Sequence, residues 1–386
     1  MKVVFYIGHH KVGSTALQTY LAQNWLRLAQ AGILYPSVET RGFSSNLERA
    51  LGAGDSAGVE DVNIREPHSA LAYKMMSEVS EHRRVPPQFK RLPGSGQMLA
   101  AIQNQVRRLK PDTLILCSEA FANFGQVKPA LIKALCNAFP AATFEIYCAL
   151  RRPDDYLISW HGQRLKVGEK LEPLSHGGAA SYFDNIHFNF RTVIEPWIQR
   201  VPNARLILRP YDEIIAAGGS TEDFTRQVGC TFPEGMIPAG RANTSLPRAA
   251  MEIARCANHE LPPPQAHALV QYLLAGKGLD PVKNRDVELF TAPVRAEMAE
   301  RFAPIHDYLS GLRDGAPFFA DYDDLTRTAP VSEGSAALDL LRQIRPKQIA
   351  GAEGTAITDF LAHHKSRLSA PSPAAPASPP EEQQQA

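Results

Sequence analysis

Short apolar runs and helical periodicities alternate along the first two-thirds of the chain. Lys2-Val3-Val4-Phe5-Tyr6-Ile7 is brief, β-branched and aromatic, and Gly8 closes it. Such a run reads as a buried strand over residues 2–7. From Ser14 the spacing changes to threes and fours, with Leu17, Tyr20, Leu21, Trp25 and Leu28 on one helical face. Gly32-Ile33-Leu34-Tyr35 is a second apolar run, stopped by Pro36. Strand-like runs recur at Thr113–Cys117, Thr143–Leu150 and Arg205–Leu208. Helical patterns separate them, over about 66–80, 97–109, 127–138, 154–166 and 188–199. Residues 38–65, rich in Gly, Ser and charge, read as a long loop, and 245–325 as helical and loop-rich.

This alternation predicts an α/β fold, a mostly parallel sheet flanked by helices. In such sheets ligands collect at the carboxyl ends of the strands. Functional residues are therefore expected just after Ile7, Cys117 and Leu150. One α/β domain is expected over 1–325, then a helical extension over 326–368. The tail 369–386, "SAPSPAAPASPPEEQQQA", has the composition of a disordered segment. No internal repeat is visible.

Composition narrows the partners. Among 386 residues, Lys plus Arg is 41 and Asp plus Glu is 40, a net charge of +1. That balance supplies no global field for nucleic acid or an anionic bilayer, and leaves only a local basic pocket. The N-terminus has only six apolar residues before Gly8 and two histidines, unlike a signal peptide. No apolar run approaches the roughly 18 residues of a membrane span, so a cytoplasmic protein with no integral membrane segment is expected. Five cysteines without a CxxC pair read as reduced thiols, and no zinc pattern is present.

Two stretches carry chemistry. Gly8-His9-His10-Lys11-Val12-Gly13-Ser14-Thr15 joins a strand to a helix with the spacing Gly, four residues, Gly. It resembles a phosphate loop, but Ser14 stands where the nucleoside-triphosphate motif has Lys. Backbone N–H groups near Gly13 and the positive helix end would face one anion. Ser14 and Thr15 add hydroxyls, and Lys11 adds a mobile charge. The plain alternative is a glycine turn capped by Ser14, with Lys11 in solvent. In the second stretch, Arg151-Arg152 ends a strand, Pro153 opens a helix and Ser159 follows. An Arg at a strand tip and a Ser on the next helix can converge on one phosphate. Here the plain alternative is a solvated basic strand end with ordinary capping.

Together and in this order, "HKVGSTALQ" (10–18) and "RRPDDYLIS" (151–159) resemble the sulfotransferases that use 3′-phosphoadenosine 5′-phosphosulfate (PAPS). Looser similarity in "GILYPS", "PHSALA", "LCSEAF", "LRPYDEI", "NTSLP" and "APIHDYL" extends it over roughly 1–325. The resemblance implies a P-loop-like architecture and transfer of a sulfuryl group from PAPS to an acceptor hydroxyl or amine. It implies that Lys11, Val12, Gly13, Ser14 and Thr15 hold the 5′-phosphosulfate, with Lys11 also catalytic. Arg151 and Ser159 would hold the 3′-phosphate, and no metal is implied. His10 departs from the proline common in the family.

For a general base the sequence offers Glu119 first, just past the strand Leu114–Cys117, then His68, then His161. His9 and His10 read as loop-packing residues, and Arg241 and Asn243 as weaker nucleotide contacts. The stretches 38–110 and 167–186 are expected to shape the acceptor pocket, for a saccharide or lipid-linked glycan or for a small alcohol or phenol. Trp160, Tyr182 and Phe183 read either as a stacking face for a sugar or as core. Two other readings stand beside this one: a P-loop kinase of a small metabolite, and a non-catalytic nucleotide-binding protein. No stretch encodes the oligomeric state.

Overall fold

The computed structural model describes residues 1–52, 61–240, 245–313, 315–349 and 356–370. The chain begins with β1 (Lys2–Tyr6), α1 (Ser14–Gln23), α2 (Trp25–Gln30) and β2 (Ile33–Leu34). Next come α3 (Thr40–Ala50), α4 (Val62–Arg65), α5 (Pro67–Val79), α6 (Ser95–Leu109) and β3 (Thr113–Cys117). A single 3-10 turn over Glu119–Asn123 leads into α7 (Phe124–Val127), α8 (Ala130–Asn137) and β4 (Thr143–Leu150). Then follow α9 (Pro153–Lys166), α10 (Arg191–Arg200), β5 (Arg205–Pro210), α11 (Tyr211–Ala216) and α12 (Ser220–Gln227). The remainder comprises α13 (Arg248–Glu260), α14 (Pro263–Ala275), β6 (Val287–Glu288), α15 (Ala292–Gly311), β7 (Val331–Ser332), α16 (Glu333–Gln343) and α17 (Ala356–Ser369).

The chain divides into two compact units. The first takes in Met1–His161, Leu174–Asn243 and Phe290–Arg327. Its sheet is wholly parallel, in the order β2-β3-β1-β4-β5. The expected α/β class is therefore observed. Each strand of the sheet is buried on both faces, as parallel sheets require, which explains the unbroken apolar runs. Val4 and Tyr6 of β1 face Leu17 and Leu21 of α1 and Phe224 of α12. On the opposite face Phe5 packs against Phe121 and Trp197, at ring distances of 6.4 and 5.2 Å.

Strands β1 and β3 end level, Tyr6 beside Cys117, whereas β4 continues from Tyr147, the partner of Tyr6, to Leu150. Beyond Tyr6 the chain keeps pairing with β4, through Ile7 N–H to Tyr147 O and His9 N–H to Ala149 O, each 2.9 Å. Gly8 lies so close to β4 that a Cβ there would stand 2.7 Å from the backbone N and O of Ala149. The connection leaving β1 runs toward β2, whereas the one leaving β4 runs toward β5. The order therefore reverses between β1 and β4, which opens a crevice at their carboxyl ends.

The second unit takes in Gly162–Pro173, Thr244–Leu289 and Thr328–Ala386. In it β6 and β7 pair in parallel, and Asn258 of α13 donates to the carbonyls of Leu165 and Glu169. The sequence reading had placed 244–289 inside the 1–325 domain. Helical periodicity reports that a face is buried and not which partner buries it. The reading of 38–65 as a long loop is also corrected: α3 and α4 occupy most of its described residues, and 53–60 lie outside them. Only 369 and 370 of the expected disordered tail are described. Among the described residues no helix is long and apolar enough to cross a membrane.

Candidate functional site

The loop from Gly8 to Gly13 lies at the mouth of this crevice. Its backbone is left-handed at Lys11 (φ 61°) and at Gly13 (φ 85°), with Val12 between them fully buried. This anchors the loop and turns its peptide groups sharply. Gly13 is the N-cap of α1, and no side chain caps the first turn. Its carbonyl accepts from the Ser220 hydroxyl at 2.9 Å, which ties the loop to the start of α12. The turn is not capped by Ser14, contrary to the plain alternative. The N–H groups opening α1 are thus left to an outside acceptor, with the helix dipole behind them.

The Ser14 hydroxyl bonds instead to the carboxylate of Glu119. Glu119 follows the tip of β3, where Ser118 caps the 3-10 turn by accepting from Ala120 N–H at 3.0 Å. Glu119 is therefore relieved of the capping role. One of its oxygens accepts from Gln18 Nε2 at 2.9 Å, and the other lies 3.3 Å from His10 Nδ1. Burial pushes the Glu119 carboxyl upward, but the bonds from His10 and Ser14 outweigh it and hold the group below the usual carboxylate range. Nearby Glu66 moves the other way, raised by burial and by the charge of Glu119 despite its ion pair with Arg65.

The opposite wall is aromatic. His10 stacks on Trp160 of α9 at 4.9 Å, and Trp160 stacks on His187 at 4.5 Å. His187 Nδ1 meets the Tyr156 hydroxyl at 2.8 Å. His9 is buried, stacked on Tyr156 at 4.2 Å and edge-on to Phe190. Burial drives its imidazole well below the ordinary value, so His9 is a neutral packing residue, as the sequence suggested.

At the tip of β4 the two arginines part company. Arg152 pairs with Asp154 at 2.8 Å and with Asp321 at 2.5 Å, a structural clamp. Arg151 is held more loosely, 3.6 Å from Asp155 and with its guanidinium carbon 5.2 Å from the Tyr211 ring centre. Asp155 and Ser159 are four residues apart on α9, so they share one helical face. Arg151, Asp155 and Ser159 therefore form one stripe leading from the strand tip.

His68 lies elsewhere. It is fully buried in the first turn of α5, accepting from Cys117 N–H at Nδ1 and facing Pro36 O from Nε2, both at 3.1 Å. Both nitrogens are committed, and burial lowers its pKa to about 3. It braces α5 against β3 and has no lone pair to offer a substrate. His161 is likewise buried, with Nδ1 3.0 Å from the Tyr182 hydroxyl. Arg241 and Asn243 lie outside the described residues. The Glu119–His10 contact, the stacking of His10 and His187 on Trp160 and the Ser220 tether are not visible in the sequence. Their partners are distant in sequence, as with Gln18 and Glu119, 101 residues apart.

A further polar cluster belongs to the second unit, where Glu252, Cys256 and His364 offer ligand atoms within 4.8 Å of one another. Arg255 and Arg367 already donate to the Cys256 sulfur, at 3.3 and 3.1 Å. A cation there would meet two positive charges.

Comparison with known proteins adds little. No family model and no solved structure matches the chain. An uncharacterized protein of Archaeoglobus fulgidus is 29% identical over 164 residues, or 42% of this chain. That stretch spans 43% of the Archaeoglobus protein, so what this chain is similar to is less than half of a relative with no stated activity.

Proposed function

We propose that the crevice between β1 and β4 binds PAPS and that the protein transfers its sulfuryl group to an acceptor hydroxyl. One observation carries the reading. An uncapped, basic loop after the central strand and a loosely held arginine at the next strand tip flank the same switch point. A ligand with anionic groups at both ends fits that spacing of charge, and the two sequence motifs supply the family whose cofactor has them. The strand order and the loop after β1 support the P-loop-like architecture.

In this reading the N–H groups of Ser14 and Thr15 hold the 5′-phosphosulfate at the helix end. Lys11 faces the phosphate oxygen that gains charge as the S–O bond breaks. Preorganised donors of that kind are worth about 3–4 kcal/mol of barrier. Arg151 and Ser159 take the 3′-phosphate. The acceptor approaches on the side of Glu119 and His10, where an acid–base pair stands ready. The aromatic wall borders that side, with Trp160 stacked between His10 and His187.

A second reading has its own observation. A loop serine beside a strand-tip carboxylate, here Ser14 and Glu119, is the pair that holds Mg²⁺ in P-loop kinases. Against it, Gln18 and His10 already occupy both Glu119 oxygens. Calorimetric titration separates the two. Adenosine 3′,5′-bisphosphate without metal should bind at micromolar concentration, well ahead of 5′-AMP. Preference for ATP with Mg²⁺ would move the case to a kinase.

A further inference from the structure

We infer that the base of this site is His10, acting through Nε2, and that Glu119 is its positioning residue. The inference rests on the sulfuryl-transfer reading and reassigns the role that the sequence gave to Glu119.

Both oxygens of Glu119 are engaged. One is bonded to the Gln18 amide and the other faces His10 Nδ1 at 3.3 Å, with the Ser14 hydroxyl as a further donor. An ionised carboxylate held by three donors can only accept. Three donors stabilise its charge and fill most of its roughly four lone-pair sites, which makes it a weak proton acceptor toward a substrate. The same bond fixes the imidazole. Facing a carboxylate, neutral His10 carries its proton on Nδ1 and presents a bare lone pair at Nε2. Nε2 makes no hydrogen bond among the described residues, and the side chain is 17% exposed. Trp160 stacks on one face of the ring, 4.9 Å away, and holds its plane.

A carboxylate on one nitrogen, a restrained ring and a lone pair on the other nitrogen form the orienting half of a catalytic triad. The charged and titratable groups facing His10 are Glu119 and Glu66, whose carboxylate also feels it, with His9 and Lys11 adjacent in the loop. His187 lies one ring further on, behind Trp160. Lys11, one residue along, belongs to the donor side, so base and electrophile handling lie on successive residues of one loop.

The step balances as an in-line displacement. Nε2 takes the proton of the acceptor O–H while that oxygen bonds to sulfur. The bond from sulfur to the 5′-phosphate oxygen breaks, and its electron pair stays on the phosphate. The products are the sulfate ester, adenosine 3′,5′-bisphosphate and an imidazolium that returns its proton to solvent.

Two readouts on the full-length chain test this. The first is the tautomer of His10, read from long-range ¹H–¹⁵N correlations with His10→Asn as the assignment control. The Nδ1–H form should dominate in the unmutated protein, and Glu119→Gln should mix the two forms. A dominant Nε2–H form, or an unchanged tautomer in Glu119→Gln, overturns the inference whatever the rates. The second uses radiolabelled PAPS with water as the acceptor probe. His10→Asn should slow sulfate release about 10²–10⁴-fold, with affinity for adenosine 3′,5′-bisphosphate changed less than about threefold. Unchanged release in His10→Asn, with the bisphosphate still bound, sinks the assignment and spares the transferase reading. Failure of the unmutated chain to bind the bisphosphate sinks both.

Discussion

His68 illustrates how one residue type serves opposite ends in this chain. Imidazoles at 10 and 68 both contact the end of β3 or the residues just after it, but burial commits His68 to the Pro36 carbonyl and the Cys117 amide. Its folded pKa of about 3 lies below the unfolded value of 6.5, so the unfolded chain takes the proton first. Its contribution is complete above pH 6.5 and is lost as the pH falls toward 3. His68→Asn should therefore be less stable at pH 7 yet lose less on acidification, measured by denaturant titration at several pH values. An equal acid slope in both proteins would refute that. Charged residues at the site carry the complementary tests. Lys11→Ala should abolish turnover with a small loss of bisphosphate affinity. Arg151→Ala should cost about 2–5 kcal/mol of affinity for the 3′-phosphate while leaving 5′-AMP unaffected.

Among the elements, the strands were the most legible. Thr113–Cys117 and Thr143–Leu150 appear with the bounds that the apolar runs suggested, because a strand buried on both faces has no reason to alternate. Helix α3 was missed for the opposite reason. Its larger apolar residues, Phe43 and Leu47, are 37% and 46% exposed, and its buried positions are Gly42 and Asn46. The phosphate-loop candidates and Arg151 were legible because strand ends mark them in one dimension. The role of His10 was not, since it depends on a carboxylate from another strand. Two features of β4 give tests. Gly8→Ala places a methyl against the Ala149 backbone and should destabilise the first unit by about 1–3 kcal/mol in chemical denaturation. At the other end of the strand, Glu145 accepts from Gly229 N–H and pairs with Lys2 and Arg205. Those contacts outweigh burial and hold its carboxyl low. Glu145→Gln should cost a further 1–3 kcal/mol or so, with the difference closing in acid as the unmutated carboxylate protonates.

Both units hold buried histidines that make them sensitive to acid, and the second adds a carboxyl that responds the other way. His9 and His68 make the first unit sensitive to acid. In the second, burial and the charge of Glu252 raise Glu333 from 4.5 to about 8. A carboxyl with a raised folded pKa is a liability once the unfolded chain can ionise. Burial lowers His364 of the same unit to about 4, which offsets that loss below pH 6.5, so the net loss falls between pH 6.5 and 8. Hydrogen exchange, corrected for intrinsic rates, should show protection of the second unit falling between pH 6.5 and 8 and flattening there in Glu333→Gln. Uniform protection changes in both units would contradict it.

The left-handed backbone at Lys11 has a consequence for what the fold itself would prefer. A side chain there costs roughly 1–2 kcal/mol that glycine would not incur. By thermodynamics alone, position 11 is a place for glycine, and the lysine is carried against that preference. Lys11→Gly should accordingly melt higher than Lys11→Ala, even though both lose the same amine. The gap between those two inert proteins would measure how much stability the chain gives up to keep a positive charge at the mouth of the crevice.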